Sequence, residues 1–291
     1  MVNKRRSSLA ESHFRQQMGR FLEQRKPSRT LCISDFDGTF YRGLWPQRLR
    51  GISNVEFGFF LWLLHTGSWK KSGAIRRSLL YLRRESKNVY GHSDNKGKQL
   101  SDLEQPMIEA FSENVLCHCH SRVASKAGSW TARFCYSDAI KAMISIQSYV
   151  GSIFFISKAF PMVLNAVKNR LHKGGVEIPV LYRGIALKDH PWWQIDPTSS
   201  VLNWEDKKEA LAHFAEENPR YKRAIIFGDT EDDVALFRQG AELWGEENVL
   251  LICLYPKDDC IRQEATVVLN NWGCVRKLLA ESHEGDAVSQ S

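Results

Sequence analysis

Short apolar segments alternate with segments of helical period over the second half of this chain of 291 residues. A polar turn or a helical segment follows most of these apolar stretches, and one further apolar stretch lies far upstream. The six stretches are 29–35, 151–156, 178–182, 223–227, 249–255 and 265–269. Strands that alternate with helices form a parallel sheet covered by helices on both faces, so we predict an α/β fold.

The spacing of the strands also predicts how the chain divides into domains. Residues 41–150, about 110 in all, separate the first strand from the second, and helical spacing dominates them. We therefore expect a helical lobe at 41–150, inserted into a core made of 29–40 and 151–280. Residues 1–28 are basic and contain one amphipathic helical pattern, which predicts an N-terminal helical extension. The polar tail, 281–291, is expected to be disordered.

Composition narrows the classes of protein that remain. Hydrophobic residues make up 43% of the chain, enough for a large core and too many for a disordered protein. The net charge of +7 and the pI near 9.0 favour an anionic partner. An odd number of cysteines and a polar start predict free thiols and a cytoplasmic location. The longest uninterrupted apolar run, at 59–64, is shorter than the roughly 20 residues of a transmembrane helix, so we expect no transmembrane segment.

Polar residues with chemical function follow the predicted strands at the edge where α/β sheets bind ligands. They are four carboxylates and one hydroxyl: Asp35, Asp37, Asp229, Asp233 and Ser157. One amine joins them at the same edge, that of Lys207, which opens the helix before the strand at 223–227. Carboxylates gathered at one edge repel one another and need a cation. Oxygen ligands without paired His or Cys indicate Mg²⁺. A carboxylate that keeps one exposed oxygen can attack phosphorus, so the group predicts phosphoryl chemistry.

The same residues resemble the four motifs of the haloacid dehalogenase (HAD) superfamily of phosphohydrolases. The segment DFDGT at 35–39 resembles motif I, and Ser157 after GSIFFI resembles motif II. Lys207 in DKKEAL resembles motif III, and GDTEDD at 228–233 resembles motif IV. The resemblance implies a Rossmann-like core with a helical cap of type one inserted between motifs I and II. The SKAFP segment at 157–161 is similar to the phosphoserine-phosphatase-like branch.

The resemblance also implies catalytic roles. Asp35 would attack the phosphoryl group and form an aspartyl-phosphate. Asp37 would protonate the leaving oxygen and then activate water, with Thr39 helping to orient it. Ser157 and Lys207 would hold the phosphoryl oxygens. Residues i and i+2 of an extended segment share a face, so both carboxylates of motif I can reach one substrate.

The family's metal site is carried over in the same way. Mg²⁺ would be bound by Asp35, by the backbone carbonyl of Asp37 and by Asp229. Asp229 and Asp233 match the metal-coordinating pair of motif IV, and Asp233 would support the metal's waters or Lys207. The implied activity is Mg²⁺-dependent hydrolysis of a small phosphate monoester.

Two other functions stay open. The basic stretch 70–84 carries six Lys and Arg residues. It would suit a lipid-phosphate or nucleotide-end phosphatase that acts at an anionic surface. The other alternative is a catalytically silent module that recognises phosphate, because a fold alone does not define an activity.

Several neighbouring residues leave local alternatives. Lys208 could replace Lys207 as the motif III lysine, although a Leu four residues later favours Lys207. Glu231 and Asp232 are expected to be solvated or to support the metal ligands. The stretch Cys117–His120 has the composition of a metal tract, but no second pair of ligands accompanies it. We therefore expect thiols and imidazoles on a helix there.

Overall fold

The structure is a computed structural model, and it describes residues 16, 17, 19, 21, 26–41, 121–188, 194–196, 199–255, 259–277 and 279. Most of the predicted cap and of the N-terminal extension lies outside these residues, and so does the tail. The basic stretch 70–84 and the tract Cys117–His120 also lie outside them. The predictions made for those segments therefore remain predictions.

All six apolar segments form strands. They are β1 (Thr30–Ser34), β2 (Ser152–Ile156), β3 (Val180–Arg183), β6 (Arg223–Gly228), β7 (Val249–Leu254) and β8 (Val267–Leu269). Within the described residues these strands make one parallel sheet in the order β3-β2-β1-β6-β7-β8. An antiparallel pair, β4 (Leu187–Lys188) with β5 (Gln194–Ile195), lies apart from it. The predicted α/β class is confirmed, whereas the pair lies outside the six predicted stretches.

Six α-helices cover most of the helical residues that the structure describes, and residues 272–277 are helical as well. The six helices are α1 (Ser121–Thr131), α2 (Ser137–Ile146), α3 (Pro161–Lys173), α4 (Trp204–Glu217), α5 (Val234–Trp244) and α6 (Asp259–Glu264). The sequence predicts helices at 136–147, 161–172, 206–216 and 232–239, and the structure shows them as α2 to α5, with α5 extending beyond its predicted end. The sequence gives no signal for α1, whose serines and glycine weaken the helical pattern, or for α6, which is too short to show a period. None of the helices described is long and apolar enough to cross a bilayer.

The central strands are buried on both faces, and successive side chains enter different cores. On β1, Cys32 belongs to one hydrophobic cluster, and Leu31 and Ile33 belong to the other. This alternation follows from the period of two in a strand. Helices α2 and α3 cover the Cys32 face, and α4 and α5 cover the opposite face.

The described part of the predicted cap range, 121–150, packs on the sheet domain. Ala124 of α1 and Met143 of α2 belong to the same hydrophobic cluster as Phe155 of β2, and α1 packs along α3. The chain thus already contributes to the core before β2 begins. Where the cap starts and ends within 41–150 stays a prediction.

Candidate active site

The site is built first from the turn that follows β1. Asp35 continues the strand by one residue, because its N–H donates to the carbonyl of Phe227 on β6 at 3.1 Å. Gly38 has a φ of 88°, a left-handed value that favours glycine, and it reverses the chain. The N–H groups of Phe40 and Tyr41 both donate to the carbonyl of Phe36, at 3.0 and 2.8 Å. The turn is therefore fixed by its own backbone directly after the buried carboxylate of Asp35.

Lys207 comes to the same place from the start of α4. Asn203 and Asp206 form a capping box there, each side chain accepting a backbone N–H of the other residue. The cap sets the orientation of the first turn. Lys207 Nζ donates to Asp35 Oδ1 at 2.9 Å and to Asp233 Oδ1 at 2.7 Å, and all three side chains are almost fully buried. Lys208 is exposed, so Lys207 is the lysine of the site.

Asp233 holds the loop that follows β6. Its Oδ2 accepts hydrogen bonds from the N–H of Asp229 at 2.9 Å and from the N–H and hydroxyl of Thr230, both at 3.3 Å. Gly228 permits this closure, because a Cβ at that position would lie 2.5 Å from Cβ of Asp233. The glycine and the last aspartate of GDTEDD are thus coupled sterically, and Asp233 supports both the loop and Lys207.

Thr39 connects the turn after β1 to the loop after β6. Its buried hydroxyl donates to Asp229 Oδ1 at 2.8 Å. Its backbone carbonyl accepts from the indole Nε1 of Trp272 at 2.7 Å. Thr39 therefore orients Asp229, a contact that the sequence did not indicate, and the role expected for it toward Asp37 stays a prediction.

Ser157 and Lys158 lie at the carboxyl end of β2, the neighbour of β1. Ser157 is buried, and its N–H donates to the carbonyl of Arg183 at 3.0 Å. Lys158 Nζ donates to Asp232 Oδ2 at 2.6 Å. Asp232 is buried and ion-paired, so it is not solvated; the other role expected for it, support of the metal ligands, stays a prediction.

Burial and charge shift the protonation of the two acids that contact Lys207. Burial raises the pKa of Asp35 from 3.8 to about 7; the Lys207 charge lowers it, and the charges of Asp233 and Asp229 raise it further. Burial also acts to raise the pKa of Asp233. The Lys207 ammonium and the N–H donors of Asp229 and Thr230 outweigh burial there, so the pKa of Asp233 is lowered.

The same carboxylates hold the pKa of Lys207 well above its ordinary value, although burial by itself would lower it. Their attraction to the ammonium exceeds the cost of removing it from water. Lys207 is therefore positively charged at the centre of the site.

A metal ion fits this donor set. One carboxylate oxygen from each of Asp35, Asp229 and Asp233 lies within 4.8 Å of the others, and all three residues are buried. Three buried carboxylates and one ammonium group together carry an excess of negative charge, which favours a bound cation. Oxygen donors alone suit a hard cation. The acidic cluster thus supports a metal-dependent site.

The structure brings together most of the residues that the sequence selected. Asp35, Thr39, Lys207, Asp229 and Asp233 form one hydrogen-bonded network. Asp37, half-buried, lies in the turn after β1, and buried Ser157 lies at the end of β2.

Sequence reasoning missed Lys158 and Trp272. Lys158 was visible as a charged neighbour of Ser157, a predicted site residue. Trp272 had no local signal, because it lies 233 positions from the residue that it contacts.

Solved structures share this fold. Cytosolic 5′-nucleotidase IIIB bound to cytidine superposes with a TM-score of 0.55 at 12% identity, over 94% of this chain and 92% of that one. A phospho-aspartyl intermediate analogue of phosphoserine phosphatase gives 0.50 at 13% identity, over 84% and 95%. A HAD family hydrolase from Salmonella enterica serovar Typhi gives 0.51 at 13%, over 85% and 69%. Family models and curated protein sequences give no match.

The likeness in these structures is one of fold. The protein has the fold of HAD-type phosphatases, with its acidic cluster at the carboxyl edge of the parallel sheet. The α/β core expected from the four motifs is confirmed, and the inserted helical cap stays a prediction.

Proposed function

We propose that the protein is a Mg²⁺-dependent phosphatase of the HAD superfamily that hydrolyses a small phosphate monoester through an aspartyl-phosphate on Asp35. The observation that carries the proposal is the contact of Lys207 with both Asp35 and Asp233, with Asp229 beside them, in one buried cluster. A buried cluster of acids around one ammonium stabilises the fold poorly. It is well suited to bind a metal ion and a phosphoryl group.

In the proposed reaction an oxygen of Asp35 attacks phosphorus, and the ester P–O bond breaks. Asp37 gives its proton to the leaving oxygen. In the second step Asp37 takes a proton from water, the water oxygen attacks phosphorus, and the bond to Asp35 breaks to release inorganic phosphate. Ser157 and Lys207 hold the phosphoryl oxygens during both steps.

The metal is part of the same proposal. Asp35, Asp229 and the backbone carbonyl of Asp37 would hold Mg²⁺, while Asp233 keeps the loop and Lys207 in place. When bound, Mg²⁺ would neutralise the charge of the phosphoryl oxygens. Thr39 fixes the side chain of Asp229 through its hydroxyl, which prepares that ligand before the metal arrives.

A cytoplasmic location accompanies the proposed function. None of the five cysteines among the described residues forms a disulfide, as would hold in a reducing compartment. The alternative that depends on an anionic surface involves 70–84, outside the described residues. A silent binding module would not need a buried carboxylate in direct contact with the motif III lysine, so we favour the enzyme.

The test is hydrolysis of a panel of monoesters with and without Mg²⁺. The panel contains p-nitrophenyl phosphate, phosphoserine and nucleoside 5′-monophosphates. We expect Mg²⁺-dependent release of phosphate from at least one compound and acid-stable labelling of the protein by ³²P. Asp35→Asn should lose both turnover and label.

Asp138→Asn is the matched control, since Asp138 lies on α2 and its side chain is 43% exposed. It should keep the activity of the parent. Turnover of Asp35→Asn within a few-fold of the parent, or no metal-dependent turnover of any compound, would refute the proposal.

A further inference from the structure

A second lysine is held at the edge of the site. Lys158 Nζ lies 2.6 Å from Asp232 Oδ2, and their side chains are only 15% and 5% exposed. Lys158 directly follows Ser157 at the end of β2, and Asp232 belongs to the loop after β6. An ion pair this buried is costly to form unless its geometry is good, so its position calls for an explanation.

The sheet order determines what this ion pair connects. β2 and β6 are the two neighbours of β1, so they are two strand spacings apart, about 10 Å. The pair therefore joins the loops on either side of the end of β1, where Asp35 lies. A long, extensible side chain such as lysine is required to cover that distance.

Asp232 and Asp233 hold two lysines that come from different elements. Asp233 binds Lys207 from α4 at 2.7 Å, and Asp232 binds Lys158 from the β2 end at 2.6 Å. Asp232 is also close enough to Lys207 for its charge to act on that ammonium. Two ammonium groups are thus anchored by successive carboxylates around the end of β1.

We propose that Lys158 is a second phosphate-binding residue, which donates to the nonbridging oxygens of the phosphoryl group. The inference rests on the proposed function and adds a cation to its substrate site. An ammonium has three donors, so Lys158 can keep its bond to Asp232 and still bind a phosphoryl oxygen. Hydrogen bonds between ions are about twice as strong as neutral ones, so this contact would matter for affinity.

The test separates the charge of Lys158 from its ion pair. Lys158→Gln removes the charge but keeps an N–H that can donate to Asp232, which protects the fold. Asp232→Asn breaks the ion pair but leaves the ammonium. Binding of inorganic phosphate is measured by calorimetry in the presence of Mg²⁺, together with inhibition of p-nitrophenyl phosphate hydrolysis by phosphate.

We expect Lys158→Gln to weaken phosphate binding about tenfold or more, the loss of one charge-assisted hydrogen bond. Lys158→Arg should bind phosphate within a few-fold of the parent. Asp232→Asn should not weaken phosphate binding, because the positive charge remains. Opposite behaviour of Lys158→Gln and Asp232→Asn is the signature of a phosphate contact.

The inference is overturned if Lys158→Gln binds phosphate within twofold of the parent, or if both variants weaken it equally. Either result leaves Lys158 as a structural partner of Asp232. These outcomes differ from failure of the proposed function, in which the parent itself neither hydrolyses a monoester nor binds phosphate. Thermal denaturation of each variant confirms that the protein compared is folded.

Discussion

The indole Nε1 of Trp272 donates to the backbone carbonyl of Thr39 at 2.7 Å, and Trp272 is fully buried. Its ring packs against Phe40 and Phe227, with centroids 5.9 and 4.7 Å away. The hydroxyl of Thr39 in turn donates to Asp229. A residue close to the end of the described chain thus fixes the turn that carries Asp35 and, through Thr39, a metal ligand of the proposed site.

Replacing Trp272 by Phe should therefore impair the site more than the fold. The change keeps an aromatic ring but leaves the Thr39 carbonyl without its donor, at a cost of about 1–3 kcal/mol. We expect Mg²⁺ affinity and kcat to fall several-fold while the protein remains folded. Calorimetric Mg²⁺ titration and steady-state kinetics measure these effects.

Trp244→Phe is a matched control for that variant. Trp244 also donates its Nε1 to a backbone carbonyl, that of Tyr221 at 3.0 Å, but it lies at the end of α5. It should lose stability without losing Mg²⁺ affinity. Equal Mg²⁺ affinities in the two variants would contradict a role of Trp272 at the site.

The hydroxyl of Thr39 gives a second prediction. Thr39→Val keeps the shape of the side chain but cannot donate to Asp229 Oδ1. Loss of the partner that orients a metal ligand typically lowers metal affinity or activity 10–100-fold. We expect a loss in this range, measured as the Mg²⁺ concentration that gives half-maximal turnover.

Thr39→Ser restores the hydroxyl and should recover most of the affinity for Mg²⁺. If instead Thr39→Ser were as defective as Thr39→Val, the methyl group and its packing would be the important feature.

The sheet could be predicted from the sequence because its strands carry a strong local signal. Segments such as 224–227 are apolar throughout, since both faces of a parallel sheet are covered. The strand pair Leu187–Lys188 with Gln194–Ile195 could not be predicted, because two residues are too few to show alternation. The order of the strands in the sheet could not be predicted either, because the periodicity of the sequence does not show which strands pair.

The site was predictable to the extent that its residues follow strands. Asp35 and Asp229 could be found because α/β sheets place their ligands at that edge. The contacts between the side chains of the site could not be predicted from the sequence. Nothing in the sequence relates Trp272 to Thr39 or Lys158 to Asp232, since these pairs meet only when the sheet is assembled.

Lys207 should be essential for the stability of the metal-free protein. Lys207→Met would leave Asp35, Asp229 and Asp233 buried together without an ammonium. Removing one partner of a buried ion pair costs about 3–5 kcal/mol. We expect urea denaturation in the presence of a chelator to show a loss of this size.

Lys208→Met provides the comparison, because Lys208 is the exposed neighbour on the same helix. Its unfolding midpoint should stay close to that of the parent. Equal midpoints for Lys207→Met and Lys208→Met would mean that the Lys207 contacts do not stabilise the fold.

The raised pKa of Asp35 makes metal binding depend on pH. Burial raises this pKa from 3.8 to about 7 in the metal-free protein. Between these two values the folded chain keeps a proton on Asp35 that the unfolded chain has lost. The contribution of this group to stability therefore falls as the pH rises toward about 7. A metal ion needs the ionised carboxylate, so it competes with that proton.

We expect the affinity for Mg²⁺ to rise about tenfold between pH 6 and pH 8, because the ionised fraction of a group with a pKa of about 7 rises by that factor. The affinity should level off above that range. Calorimetric titrations of the parent at several pH values measure the effect without requiring turnover. Asp35→Asn cannot titrate at this position, so its weaker binding should change much less with pH. A parent whose Mg²⁺ affinity is flat from pH 6 to pH 8 would show that Asp35 is already ionised at pH 6.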